Sequence, residues 1–205
     1  MGHNADADTN VDDSLMKKYL PMGAAQQGGF TLLELMVALT ILSMMFLAGL
    51  PSFTTFLRNA EIRSTSESIS NGLRLARTEA TRLNRPVSFT LAGSGNPGWA
   101  INIFNPATGL LLQPPLQSYS RFEVGSSARL VTSPGTAVAV TFNGLGRIVS
   151  PSPIVTPNLQ QVDVTSTIAG EARTLRIFVD DLHGIRLCDP DPALRALSPP
   201  DARAC

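Results

Sequence analysis

The sequence predicts an α+β protein in which a long amino-terminal transmembrane helix continues into a head of antiparallel β-sheets. Three observations predict it. Between Glu34 and Arg58 lie 23 residues without a formal charge. Beyond them Ile62, Ile69, Leu73, Ala76, Ala80 and Leu83 recur at steps of seven, four, three, four and three, the spacing of a helix with one buried face. After Pro86 the pattern changes to short β-branched or alternating runs broken by Gly, Pro and Asn, which reads as strands and turns.

Residues 1–29 carry Asp6, Asp8, Asp12 and Asp13 against Lys17 and Lys18, a local net charge of −2 in a chain whose formal net charge is zero. The remainder is therefore +2, with every basic residue an arginine. Nucleic-acid binders show a far larger basic excess, so charge alone assigns no anionic partner. Residues 1–15 are acidic and lack apolar periodicity. Met16-Lys17-Lys18-Tyr19-Leu20 reads as the start of translation.

As a helix the uncharged run spans about 34 Å, enough to cross a bilayer core. Lys17 and Lys18 precede it and are expected on the cytoplasmic side, which leaves the head outside the cytoplasm. Glu34 lies just inside the apolar run, where an unpartnered carboxylate costs a few kcal/mol in lipid. A cut between Gly29 and Phe30 would supply a partner, because the new α-amino group would lie one helical turn away. Pro51 removes one backbone hydrogen bond and is expected to kink or loosen the helix. The alternative, a secretory signal cut near Ala48-Gly49, leaves Glu34 and the Gly-Gly-Phe-Thr sequence unexplained.

The outward part of the helix, to about Asn84, carries Arg58, Arg63, Arg74, Arg77, Arg82 and Arg85. These read either as a filament or nucleic-acid contact face or as a solvated face with local pairs such as Glu79 to Arg82. Strands are expected at Val87 to Leu91, Trp99 to Phe104, Ala128 to Thr132, Val138 to Phe142, Gly146 to Val149, Val162 to Ser166, Leu175 to Val179 and Ile185 to Cys188. Turns are expected at residues 93–98, at Asn143-Gly144 and in the Pro-rich loop from Ser150 to Pro157. Cys188 and Cys205 enclose sixteen residues at the chain end. A disulfide there would contribute roughly 3 kcal/mol by chain entropy and needs an oxidising compartment. The spacing fits neither a CxxC redox site nor a zinc site, which leaves two free thiols as the other reading.

The run Gly29-Phe30-Thr31-Leu32-Leu33-Glu34-Leu35-Met36-Val37-Ala38-Leu39 resembles the cleavage and methylation motif of type IV prepilins and type II secretion pseudopilins. The resemblance implies that a prepilin peptidase cuts after Gly29 and N-methylates Phe30. It implies that Glu34 helps register the subunit in a filament, with Pro51 at a position where the family carries proline. Leu73 to Ala80, then Arg85-Pro86-Val87, then Phe142 to Arg147 are similar to the GspH/FimT family of minor pseudopilins and minor pilins. The implied division is a leader at 1–29, a transmembrane helix at 30–57, its periplasmic continuation at 58–85, a β-rich head at 86–187 and a stapled loop at 188–205. The implied role is a low-abundance subunit in the inner membrane that helps initiate or cap a pilus or secretion pseudopilus, with other pilins or pseudopilins as partners.

Some FimT-type minor pilins bind DNA for natural transformation through a carboxy-terminal Gly-Arg-x-Arg motif. The aligned residues here are Gly184-Ile185-Arg186, so Ile185 replaces the first arginine, Leu187 or Arg186 stands at the second depending on register, and Arg186 is the remaining DNA-contact candidate. An exposed edge-strand residue explains Arg186 equally simply. For catalysis the segment after Gly29 offers one histidine, His183, beside Asp180 and Asp181. An Asp-Asp-x-His-Gly sequence between strands is better explained by turn chemistry. No Gly-rich phosphate loop precedes a helix, and no metal or cofactor is expected.

Overall fold

The computed structural model describes residues 29–93, 95–124, 127–150, 154, 157–168, 172–197, 199 and 201–205, without the side chains of 48–51. Met16, Lys17, Lys18 and the rest of the expected leader before Gly29 lie outside the described residues, as do Ser94 and much of the 150–157 loop. The chain divides into two compact units, Met1–Leu47 and Ala48–Cys205.

Helix α1 (Leu32–Leu83) begins in the first unit and supplies the long element of the second. Within the second unit its inward face is the one predicted: Ile62, Ile69, Leu73, Ala76 and Ala80 are buried, and Leu83 packs against their cluster. The helix ends where Asn84 turns left-handed, at φ 47°. The Arg85 amide then bonds back to Ala80 O at 3.2 Å, a helix stop that asparagine tolerates better than most residues.

Among the described residues nine strands follow as two antiparallel sheets. The first comprises β1 (Val87–Leu91), β2 (Trp99–Asn105), β3 (Leu110–Leu111), β4 (Gln117–Tyr119) and β6 (Ala139–Phe142). Its order is β3-β2-β1-β6, and β4 also pairs with β2. The second has the order β5-β7-β8-β9, from β5 (Ala128–Ser133), β7 (Gln161–Ser166), β8 (Leu175–Asp180) and β9 (Gly184–Cys188). In the first sheet Phe89 lies opposite both Ile101 and Val140. In the second Val164 faces Leu130, and Ile177 faces Val162 and Leu187. β5 alternates buried and exposed residues along its whole length, the period-2 pattern of a sheet with one face in the core.

Side chains from α1 and both sheets form one cluster, in which Ile69 and Leu73 join Phe89, Ile101, Leu130, Phe142 and Ile177. The helix approaches the first sheet most closely at Gly72. A β-carbon there would meet Phe89 Cε2 at 2.9 Å and Trp99 Cη2 at 3.0 Å.

Seven of the eight expected strands form, within a residue or two of their predicted limits. Gly146 to Val149 is the exception, reduced to a single bridge between Phe142 and Ile148. There the Asn143 side chain accepts the Leu145 and Arg147 amides, and Asp181 Oδ1 accepts the Ile148 amide at 2.7 Å, while the backbone bonds from Asn143 N to Arg147 O at 2.9 Å and from Val149 N to Thr141 O at 2.8 Å flank the bridge. The short elements β3, β4, α2 (Arg121–Val124) and α3 (Pro192–Arg195) were not expected. Cys188 and Cys205 are disulfide-bonded. Asp189 and Arg203–Cys205 add backbone bonds of 2.7 and 2.9 Å inside that loop, so the expected stapled loop is closed by backbone pairing as well as by the disulfide.

Candidate functional site

The amino-terminal segment is built from a helix start and an apolar cylinder. Gly29, Phe30 and Thr31 precede the helix and are exposed. Thr31 caps it: its Oγ1 accepts the Glu34 amide at 3.2 Å, and its carbonyl accepts the Leu35 amide at 3.1 Å. Thr31 and Glu34 stand at capping-box spacing, which satisfies an otherwise orphaned helix donor and places a carboxylate where the helix dipole favours it. The Thr-x-x-Glu spacing is the sequence signal that marks this cap. Phe30 is thus the residue immediately ahead of the cap, and Glu34 lies in the first turn.

From Leu32 to Leu47 the apolar side chains point outward on every side of the helix, including Leu33, Met36, Leu39, Leu42 and Phe46. The hydroxyls of Thr40 and Ser43 are turned back to Val37 O and Leu39 O at 2.8 and 2.7 Å. An element apolar all round, with its few polar atoms satisfied internally, suits an environment without water. Among the described residues no single helix is long and apolar enough to cross a membrane, whereas Leu32–Leu47 and Ser52–Leu83 taken together qualify by length and composition. α1 runs through Pro51, whose side chain lies outside the described residues.

On the head, four of the six arginines expected on the outward helix separate into two groups. Arg63 pairs with Glu67 at 2.9 Å and Arg82 with Glu79 at 2.7 Å, the local pairing of a solvated face. Arg74 instead reaches the β9 strand, donating to Ile185 O at 3.4 Å. Arg77 lies against two turns, its side chain 3.4 Å from where a β-carbon on Gly146 would be and 3.6 Å from one on Gly184. Arg186 is exposed on β9, an edge strand, opposite Phe178.

The Asp180–Gly184 turn holds His183, whose Nδ1 lies 2.7 Å from Asp180 Oδ2, while Asp180 Oδ1 accepts the Leu182 amide at 3.1 Å. The hydrogen bond from His183, then that from Leu182, holds the Asp180 carboxyl below the usual carboxylate range. Asp181 accepts from Ile148. Both carboxylates therefore organise turns, as the sequence suggested. Among the described residues no cluster of three His, Cys, Asp or Glu side chains is placed to hold a metal ion.

A helix capped ahead of an apolar cylinder, followed by a head of antiparallel sheets, defines a pilin-like protein. The chain belongs to the type II transport protein GspH family, whose model matches residues 65–181, and a prokaryotic N-terminal methylation motif matches residues 25–50. The type IV minor pilin FimU of Pseudomonas aeruginosa is similar in structure, with 18% identity, 64% of this chain and 91% of that chain covered, and a TM-score of 0.50. The solution structure of E. coli GspH matches with 17% identity over 64% of this chain and 89% of that one, at a TM-score of 0.44. At 18% identity the likeness to FimU is one of fold. A search of the curated proteins finds no match.

Proposed function

We propose that the chain is a minor subunit of a type II secretion pseudopilus or type IV pilus, made as a precursor and assembled into the filament from the inner membrane. A prepilin peptidase cuts after Gly29 and methylates Phe30. The segment from Phe30 to Leu57 anchors the subunit, Pro51 loosens that helix, and the head folds in the periplasm, where Cys188 and Cys205 oxidise. The subunit acts by helping to start or cap the filament for protein secretion, as a structural part rather than a catalyst.

The observation that carries this reading is Glu34. It is the only formal charge between Phe30 and Arg58, and it sits in the first turn of a helix whose other side chains there are apolar and exposed. A carboxylate in that setting needs a cation. Cleavage after Gly29 creates one a single turn away, on the same subunit or on a neighbour. Glu34→Ala is therefore expected to be cut normally at Gly29 yet to enter filaments poorly. Processing is read from gel mobility and the mass of the mature amino terminus, and incorporation from the amount of the chain in sheared filaments. Incorporation at the wild-type level would sink the charge-pairing argument.

A further inference from the structure

We infer that the end of the head where α1 terminates docks a different pilin-like subunit, one presenting carboxylates around an apolar pocket. This rests on the filament reading above and specifies which surface makes one of its contacts.

Two turns meet there. The Asn143–Arg147 turn and the Asp180–Gly184 turn are joined by the 2.7 Å bond from the Ile148 amide to Asp181. Both press against Arg77 through glycines in the left-handed region, Gly146 at φ 72° and Gly184 at φ 73°. A side chain at either glycine would be strained by the left-handed backbone, and at Gly146 its β-carbon would also lie 3.1 Å from Thr81 Cγ2, whereas Arg77 stands at ordinary contact distance from both turns. Each turn raises a leucine into solvent: Leu145 is 80% exposed and Leu182 is 87% exposed. Around them Arg74, Arg77, Arg147 and Arg186 are exposed and, among the described residues, form no ion pair. Asp180 and Asp181, the acids of the turn, are already engaged by His183, Leu182 and Ile148.

Exposed apolar side chains on braced turns, beside guanidiniums that form no ion pair, suit a partner that brings carboxylates, and arginine is enriched at protein interfaces. Two alternatives fit less well. A second copy meeting this face through itself would set arginines against arginines, because an isologous contact repeats each residue. A nucleic acid would meet the arginines, but it would also bring phosphates against two protruding leucines and the engaged acids. The partner is thus a different protein, and within a filament the available ones are the other pilin-like subunits.

The test uses the full-length tagged chain, expressed in its own cells and recovered from detergent-solubilised membranes. N-methylated pilin-like subunits that co-purify are identified and quantified by mass spectrometry. Leu145→Ser with Leu182→Ser, and separately Arg77→Glu, are each expected to lower their recovery about tenfold. Phe122→Ser, at an exposed position elsewhere, is expected to leave it unchanged. Retention of the Cys188–Cys205 disulfide and of the wild-type melting temperature shows that a variant is folded. Should Arg77→Glu fail that check, the leucine pair decides. Unchanged recovery with the folded leucine variant overturns the inference. So does salt-sensitive binding of a short DNA duplex that depends on Arg77 and Arg186 but not on the leucines, because that assigns the face to nucleic acid. If the wild-type chain recovers no pilin-like subunit, the filament reading itself fails, and this appears before any variant is compared.

Discussion

The leucines at either end of α1 have opposite surroundings. Leu39, in the amino-terminal unit, is 54% exposed, and its apolar neighbours from Leu32 to Leu47 are exposed with it; Leu73, in the head, is wholly buried. The head completes its own core by placing one helix face against two sheets. In the described part of the amino-terminal unit the helix satisfies its own backbone and the Thr40 and Ser43 hydroxyls, but it leaves the Glu34 carboxylate and its apolar surface exposed. One region thus carries the chain's stability and the other its need for company.

The sharpest way to break that comparison is to make the same change in both places. Leu73→Ala is expected to cost about 2–5 kcal/mol, because it opens a cavity beneath both sheets. Leu39→Ala, made where the side chain touches no core, is expected to leave unfolding of the head unchanged within about 0.5 kcal/mol. Denaturant unfolding of the detergent-solubilised chain, followed by Trp99 fluorescence, reads both. Equal destabilisation by the two substitutions would mean that the regions do not divide stability as stated.

A smaller effect sharpens the helix-to-sheet contact. Gly72→Ala adds a helix-favouring residue worth about 1 kcal/mol, but its β-carbon would lie 2.9–3.0 Å from the rings of Phe89 and Trp99. Trp99 has little freedom to give way: it packs on Phe89 and Tyr119 at centroid distances of 5.5 and 4.9 Å, and its Nε1 donates to Ser68 Oγ at 3.2 Å. Overpacking costs about 1–3 kcal/mol, so a net loss of about 1 kcal/mol is expected by the same assay. A stabilised variant would show that the contact is looser than the geometry indicates.

The two regions also differ in how much of them was legible in the sequence. The buried face of α1 and seven strands were readable because periodicity is a local property, and Ile62 to Leu83 state it in steps of three, four and seven. Strands of two or three residues, such as Leu110–Leu111 and Gln117–Tyr119, are too short to show alternation and exist because β2 offers them an edge. The Gly146 to Val149 run alternates like a strand but keeps a single bridge, its Ile148 amide going to Asp181, 33 positions away. At the amino terminus, Gly29, Phe30 and Glu34 were legible as a motif, and the Thr31 cap was present as spacing but was not used. The arginine surface was half legible: Arg74 and Arg77 stood out as charges, but nothing local tells that they, and not Arg63 or Arg82, meet turns some 70 to 110 residues later.

The smallest expected effect tests the chain end, which belongs to the head by its disulfide. Arg203 donates to both Asp201 oxygens, at 3.0 and 2.6 Å, and the Arg203 amide adds a third bond at 2.9 Å. Side-chain and then backbone bonds from Arg203 hold the Asp201 carboxyl down at about 2. A carboxyl whose folded value lies below its unfolded one favours the folded loop above the unfolded value, and that contribution is lost as pH falls through about 2. Both partners are solvent-screened, so the consequence for global stability is slight. The site-specific titration is the informative measurement. Carboxyl carbon shifts of Asp201 are expected to move near pH 2 in the wild type and closer to the ordinary aspartate range in Arg203→Ala. With Cys188 and Cys205 reduced, Asp201 is expected to drift the same way, because the loop that aligns the two side chains is then closed only by its backbone bonds. An Asp201 that titrates normally while the disulfide is intact would mean that the tail is not held against the head as the 188–205 loop requires.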